Sequence, residues 1–244
     1  MARLARVLAV DTPHHVTQRG NARRVIFESD ADRLVYLQLL QTHCRLHKLS
    51  VLGFCLMSNP VHLILVPSRE EAIGLALRNT HGRCATYLNA RRGVSGHVWQ
   101  GRFYSCPLDA EHLWAALRYT ERNPVRAGLV DVAEQYRWSS AALHCGAWGN
   151  TLAIDVDLEP WRAVWSVSAW RTFLDDEPAD ADGEALRVCT HTGRPLGSSE
   201  FVTALERTLH RPLRPRKGGR PKKDAEDPAQ TIFTFDPWER SVCP

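Results

Sequence analysis

Residues 51–66 read VLGFCLMSNPVHLILV. Two apolar runs rich in strand-forming residues, Val51–Met57 and Val61–Val66, flank a polar step at Ser58 and Asn59, whose side chains favour turns by bonding the local backbone. Each run has the length of a strand, and together they predict a β-hairpin. Pro60 is compatible with it, because proline is tolerated at the first position of a strand. A hairpin this apolar has to be covered by another layer.

The flanking segments supply that layer. His14–Gln18 alternates as a first strand, and Gly20–Asn21 turns the chain. Ser29 or Asp30 caps a helix running to about His47, with Leu34, Leu37, Leu40 and Cys44 at helical spacing. Ser68 followed by Glu71 has the pattern of a capping box and predicts a helix to about Arg91. Its apolar face comprises Ile73, Ala76, Leu77, Cys84 and Tyr87 or Leu88. Trp99–Tyr104 predicts another strand. Asp109 caps a third helix through Leu113, Ala116, Leu117 and Thr120, which Pro124 ends or closely follows. Strands interleaved with helices predict an α+β domain over residues 1–145, an antiparallel sheet flanked by helices.

Residues 146–185 read as a helical and acidic linker region, with Trp161–Leu174 helical and Asp175–Asp182 a linker. Residues 186–244 read as a basic, partly helical extension with a disordered tail. In it Ser198 or Ser199 caps a helix to about His210 carrying Phe201, Leu205 and Leu209 on one face. Arg211–Lys223 follows without an acidic residue.

Of the 244 residues, 44% are apolar, enough for a packed core. The net charge of +4 is modest, and the excess of positive charge gathers near the C-terminus. No apolar stretch approaches the roughly 20 residues of a membrane helix. Met1–Arg6 does not open a secretory leader, so a cytoplasmic protein without a membrane partner is expected. The seven cysteines are Cys44, Cys55, Cys84, Cys106, Cys145, Cys189 and Cys243. Their odd number and the absence of any Cys-x-x-Cys pair argue against a zinc site or a disulfide framework, leaving them as small buried residues.

Five regions, in order, resemble one family. GFCLMSNPVHLILVP resembles the metal-motif hairpin of the REP-associated tyrosine transposases, a single-tyrosine branch of the HUH transposases. PHHVTQRGNARRVIF resembles the family's first strand and the loop after it. HVWQGRFYSCPLD resembles its central Trp-Gln-Gly-Arg-Phe signature, and RYTERNPVRAGLV its nucleophile helix. TGRPLGSSEFV and RPRKGGRPKK resemble a C-terminal extension that some members carry. The resemblance implies a ferredoxin-like or RNA-recognition-like sheet and a divalent ion, Mg²⁺ or Mn²⁺. It also implies single-stranded or hairpin DNA as partner, cleaved and rejoined through a phosphotyrosine. It leaves monomer or homodimer open.

In that family two histidines separated by an apolar residue lie on one strand, where a period of two puts both on the same face. The corresponding residues here are Pro60, Val61 and His62. His62 is thus implied as a metal ligand, whereas Pro60 offers no donor atom, and losing one ligand weakens a labile Mg²⁺ site. His14 or His15, on a neighbouring strand by analogy, could help; both also serve as ordinary strand residues. Tyr119 matches the catalytic tyrosine. A phenol with pKa near 10 is a weak nucleophile until it is oriented or deprotonated. Asn123 matches a polar residue that can complete the metal shell, and it can equally cap the helix end before Pro124. His112, Tyr119 and Asn123 fall along one stripe of their helix. Tyr104, the other candidate nucleophile, is expected to pack or stack.

Candidate DNA contacts follow the same regions. They are Arg19, Arg23 and Arg24 after the first strand, Arg102 in the signature, and Arg118, Arg122 and Arg126 around the tyrosine. Arginines near Trp99 and Phe103 suit single-stranded DNA, which exposes phosphates and base faces together. Arg216, Lys217, Arg220, Lys222 and Lys223 form either a minor-groove arm or a tail that binds any polyanion. The expected function is metal-assisted DNA cleavage and rejoining. The alternative is a DNA-binding protein of the same fold with impaired catalysis, and a third reading is an RNA-binding regulator.

Overall fold

The computed structural model describes residues 6–147, 152–176 and 180–215, with side chains omitted at 180–182. Its sheet has four strands: β1 (His14–Gln18), β2 (Leu49–Leu56), β3 (Val61–Pro67) and β4 (Tyr104–Pro107). Their spatial order is β2-β3-β1-β4, and every neighbouring pair is antiparallel. Helix α1 (Asp30–Leu46) connects β1 to β2, and α2 (Ala72–Arg92) connects β3 to β4. This β-α-β-β-α-β sequence with its sheet order is the ferredoxin-like arrangement expected of the chain.

The pleat sorts the strand residues onto two faces. Val16, Leu63 and Leu65 join Tyr36, Leu37, Leu40, Ile73 and Leu77 in a core beneath α1 and α2. Ile64 and Cys106 enter a second core with Leu117 and Trp170, beneath α3 (Ala110–Arg126) and α6 (Val167–Asp175). Between them lie the short α4 (Ala141–His144) and α5 (Glu159–Arg162). Helix α7 (Asp180–Thr192) packs on β4, α3 and β1. Helix α8 (Ser199–Thr208) carries Leu205 into a small cluster with Val7, Ala9 and Leu213. The described chain up to Arg214 forms one compact unit. Among the described residues no helix is long and apolar enough to cross a membrane, and the six described cysteines are free.

Local signals placed most elements. Ser29 caps α1 in a capping box: its hydroxyl accepts from Asp32 N–H at 3.3 Å and the Asp32 carboxylate accepts from Ser29 N–H at 3.0 Å. Asp109 caps α3 by accepting from His112 N–H at 2.9 Å, and Ser198 caps α8.

Five expectations need correction. The Ser68–Glu71 capping box does not form: α2 starts at Ala72, and the Glu71 carboxylate lies 3.6 Å from Arg69 instead. Continuous pairing in the fourth strand begins only at Tyr104. Before it, Gly101 has φ of +135°, and the Trp99 indole leaves the sheet to donate to His81 O at 2.8 Å. Pro124 lies inside α3 rather than ending it. Proline cannot donate to Thr120 O, four residues back. The Asn123 amide reaches that carbonyl at 3.4 Å and Tyr119 O at 3.0 Å, so the last turn persists. Trp161–Leu174 is two helices, α5 and α6, because Ser166 starts a new one by capping Ala169 N–H. The proposed linker gives way at Asp180 to α7, which the acidic composition concealed; residues 177–179 lie outside the described ones.

Gly53 shows how closely α3 sits on β2. A Cβ built there would lie 2.2 Å from Leu117 Cδ1 and 2.9 Å from Ser140 Oγ. Gly53→Ala is expected to destabilise the protein by about 1–3 kcal/mol through overpacking, read as a lower thermal midpoint. An unchanged midpoint would mean that α3 can lift off the strand at no cost.

Candidate active site

The pairing register brings His62 of β3 opposite Thr17 of β1, with His15 two residues back on the same face. His15 Nε2 lies 3.1 Å from His62 Nδ1, and the rings stack with centroids 5.4 Å apart. Helix α3 crosses above them. The Tyr119 ring meets both imidazoles edge-on, at 5.9 Å from each. Arg126, two turns further along α3, places its guanidinium carbon 4.3 Å over the Tyr119 ring. Helix α7 closes the other side: Thr190 Oγ1 lies 2.7 Å from His15 Nδ1, and Arg187 lines the same pocket as Tyr119.

His15, His62, Tyr119, Arg187 and Thr190 bound a pocket of about 70 Å³, which Thr17, Arg19, Pro60, Tyr104 and His191 also line. Tyr104 stacks on His191 with centroids 4.9 Å apart, as expected of a packed tyrosine. Burial pushes His15 down to about 3. It holds His62 well below the usual histidine range as well, helped by His15, Arg126 and Arg19. Both imidazoles are therefore neutral near pH 7, with one ring nitrogen each able to accept a proton or a metal.

The structure brings Tyr119 and His62 together and leaves Asn123 out of the pocket lining. Its amide nitrogen serves the helix backbone, and its Oδ1 accepts from Arg126 Nη2 at 2.5 Å. Pro60 lines the pocket, following a cis Asn59–Pro60 bond. The Asn59 side chain tethers the loop after β1, accepting from Gly20 N–H and donating to Arg24 O. His14 bonds the N-terminal segment through Ala9 N–H and Thr12 O.

Among the proposed DNA contacts, Arg19 and Arg126 are exposed beside Tyr119, and Arg23, Arg24 and Arg102 are exposed nearby in the chain. Arg118 and Arg122 are used differently. Both donate to Asp176 O, Arg122 also to Leu174 O, and Arg118 lies 4.5 Å over Phe173, so they fasten the end of α6 to α3. Arg216, Lys217, Arg220, Lys222 and Lys223 lie outside the described residues.

Sequence reasoning missed Arg187, Thr190 and His191 because it placed no helix there. The signals were a Glu184–Arg187 pair at helical spacing and Gly193, whose φ of +74° suits the residue after a helix.

The donor set also tests the expected metal. Mg²⁺ demands about six oxygens, usually including carboxylates. The pocket offers two imidazoles, hydroxyls and arginines but no carboxylate, and among the described residues no group of three or more His, Cys, Asp or Glu could hold a metal. Those residues do not fit a Mg²⁺ cage, and imidazole nitrogens suit ions such as Zn²⁺ or Ni²⁺ rather than Mg²⁺ or Mn²⁺, which favour oxygen.

Comparison with known proteins agrees with this architecture. Residues 10–123, which contain both His62 and Tyr119, match the family described as Transposase IS200 like. The structure is similar to that of a REP-associated tyrosine transposase bound to a REP hairpin, with a TM-score of 0.51 and 16% identity over 69% of this chain and 96% of the other. That likeness shows the fold. A Deinococcus radiodurans R1 chain provisionally described as a transposase aligns at 16% identity and a TM-score of 0.34, over 50% of this chain and 97% of the other. No curated protein matches the chain in sequence. Over residues 10–123, a little under half of its length, this chain is similar to the IS200-like transposase family.

Proposed function

We propose that the protein cleaves and rejoins single-stranded or hairpin DNA with Tyr119 as nucleophile. The observation that carries this reading is the placement of Tyr119 edge-on to two neutral imidazoles, with Arg19 in the same pocket and Arg126 over its ring. Arginine guanidinium groups there can grip a phosphate and hold it against the phenol oxygen. The Tyr119 oxygen attacks phosphorus, the bond from phosphorus to the 3′ oxygen breaks, and the phenol proton ends on that oxygen. The products are a 5′-phosphotyrosine and a free 3′-hydroxyl. Attack by a 3′-hydroxyl on the phosphotyrosine reverses the step and joins strands without an energy source. A divalent ion, when bound at the histidines, would lower the charge on the phosphate during attack.

Pro60 favours a second reading, a DNA-binding protein without chemistry, because it meets the pocket with no donor atom. The two separate on a denaturing gel after incubation with end-labelled hairpin DNA from the gene's own flanks and Mn²⁺. A covalent adduct with the parent protein supports strand transfer. An adduct only with Pro60→His supports the binding reading, with a dormant site. DNA binding by both proteins without any adduct would overturn the catalytic assignment.

A further inference from the structure

The family match ends at residue 123, yet α7 completes the pocket from beyond it. Positions three and four apart fall on one face of a helix, so Gly183, Arg187 and Thr190 share a stripe of α7. Gly183 lies against the Tyr119 ring: a Cβ built there would be 3.4 Å from its Cδ2 and Cε2. Thr190 Oγ1 lies 2.7 Å from His15 Nδ1. Arg187 stands between these two contacts and lines the pocket. The Glu184 carboxylate holds its guanidinium, accepting from Nε at 2.9 Å and lying 2.7 Å from Nη2. That contact occupies two of five N–H donors and orients the planar fork. We propose that Arg187 receives the scissile phosphate and supplies there the positive charge that a divalent ion would otherwise bring.

The composition of the pocket suits an anion. Arg19 and Arg187 line it, no carboxylate does, and the two imidazoles are neutral near pH 7. Its volume of about 70 Å³ is little more than two water molecules' share of the liquid, enough for phosphate oxygens while sugar and base stay outside. As the Tyr119 oxygen closes on phosphorus and the bond to the 3′ oxygen breaks, negative charge grows on the non-bridging oxygens. A guanidinium already in place stabilises that charge without reorganising. Arginine fits the task because it stays charged and its fork can meet two phosphate oxygens at once. Glu184 offsets little of this charge, because the pair is half-exposed and screened by solvent. Pro60 thus removes a metal donor from a pocket whose charge arrives on α7.

This inference rests on reading Tyr119 as the nucleophile, and its test separates the two. The full chain is compared with Arg187→Gln, which loses the charge, and Arg187→Lys, which keeps the charge but not the fork. Arg187 is exposed, so both variants should keep the parent's thermal midpoint. Adduct formation on end-labelled hairpin DNA is timed in EDTA and in Mn²⁺. The parent is expected to react in EDTA. Arg187→Gln should slow that reaction by about 10²–10³-fold, with hairpin affinity little changed, and Arg187→Lys should fall between the two. An adduct that disappears in EDTA, or one that Arg187→Gln forms at the parent's rate, would overturn the proposal. A faster reaction in Arg187→Gln would do so too, by showing that α7 obstructs the pocket. If the parent gives no adduct in either condition, the strand-transfer reading fails, and inorganic phosphate decides the inference alone. It is titrated in EDTA at constant ionic strength and followed by the ring signals of His15, His62 and His191. Saturable shifts that are lost in Arg187→Gln would keep Arg187 as the residue that receives a phosphate. No shift up to tens of millimolar phosphate would overturn it.

Discussion

Tyr119→Phe should eliminate the covalent protein–DNA adduct while leaving DNA binding and the fold intact. The variant removes one oxygen, which is the proposed nucleophile, so strand cleavage should fall on the order of 10⁴-fold or more. Little else depends on that oxygen. The ring continues to pack against His15, His62 and Arg126. The readouts are the adduct on a denaturing gel and the dissociation constant for the same hairpin, which should change by less than a few fold. An adduct of undiminished yield would show that another residue attacks; Tyr104, which also lines the pocket, would then be examined first.

Glu121 should produce the opposite result, a large loss of stability from a residue that never meets DNA. Its carboxylate is fully buried two residues after Tyr119 and accepts three hydrogen bonds: from Ser140 Oγ at 2.5 Å, His144 Nδ1 at 2.6 Å and Trp170 Nε1 at 3.1 Å. Ser140 Oγ in turn accepts from Phe54 N–H on β2 at 3.0 Å. One side chain thereby ties α3 to β2, α4 and α6. Glu121→Ala strands three buried donors and opens a cavity, an expected cost of about 3–5 kcal/mol. Glu121→Gln keeps the volume but turns an amide N–H toward donors, so it should also destabilise, by less. Urea unfolding followed by tryptophan fluorescence measures both, since Trp170 is part of the network. A loss below about 1 kcal/mol would show that the network relaxes or rehydrates when its acceptor is removed.

The contrast between these variants separates two jobs within one helix. Tyr119 lines the pocket with Arg126 over its ring, whereas Glu121 points into the core and sets where the helix lies on the sheet. Arg118 and Arg122, close to Tyr119 in the chain, illustrate why charge near a motif is an unreliable guide to ligand contact. Their guanidinium groups satisfy the carbonyls at the end of α6.

The sequence by itself determined what depends on neighbours a few residues apart. The hairpin of residues 51–66 follows from its two apolar runs and turn residues, and α1 and α3 follow from Ser29 and Asp109 at their caps. The resemblance of the metal-motif and nucleophile segments singled out His62 and Tyr119, and the register placed them in one pocket. What remained hidden depends on contacts across long stretches of chain. His15 reaches His62 over 47 residues and Thr190 over 175. Asn123 has the spacing of a pocket residue, yet Pro124 left a carbonyl to satisfy and its amide turned to the backbone. Helix α7, masked by an acidic composition that resembles a linker, brings Arg187 and Thr190 to the site only because β4 and α3 offer a surface for it. Local propensity and capping act within a turn or two of chain, whereas the partners of these side chains were decided by which faces of the sheet and helices met when the core closed.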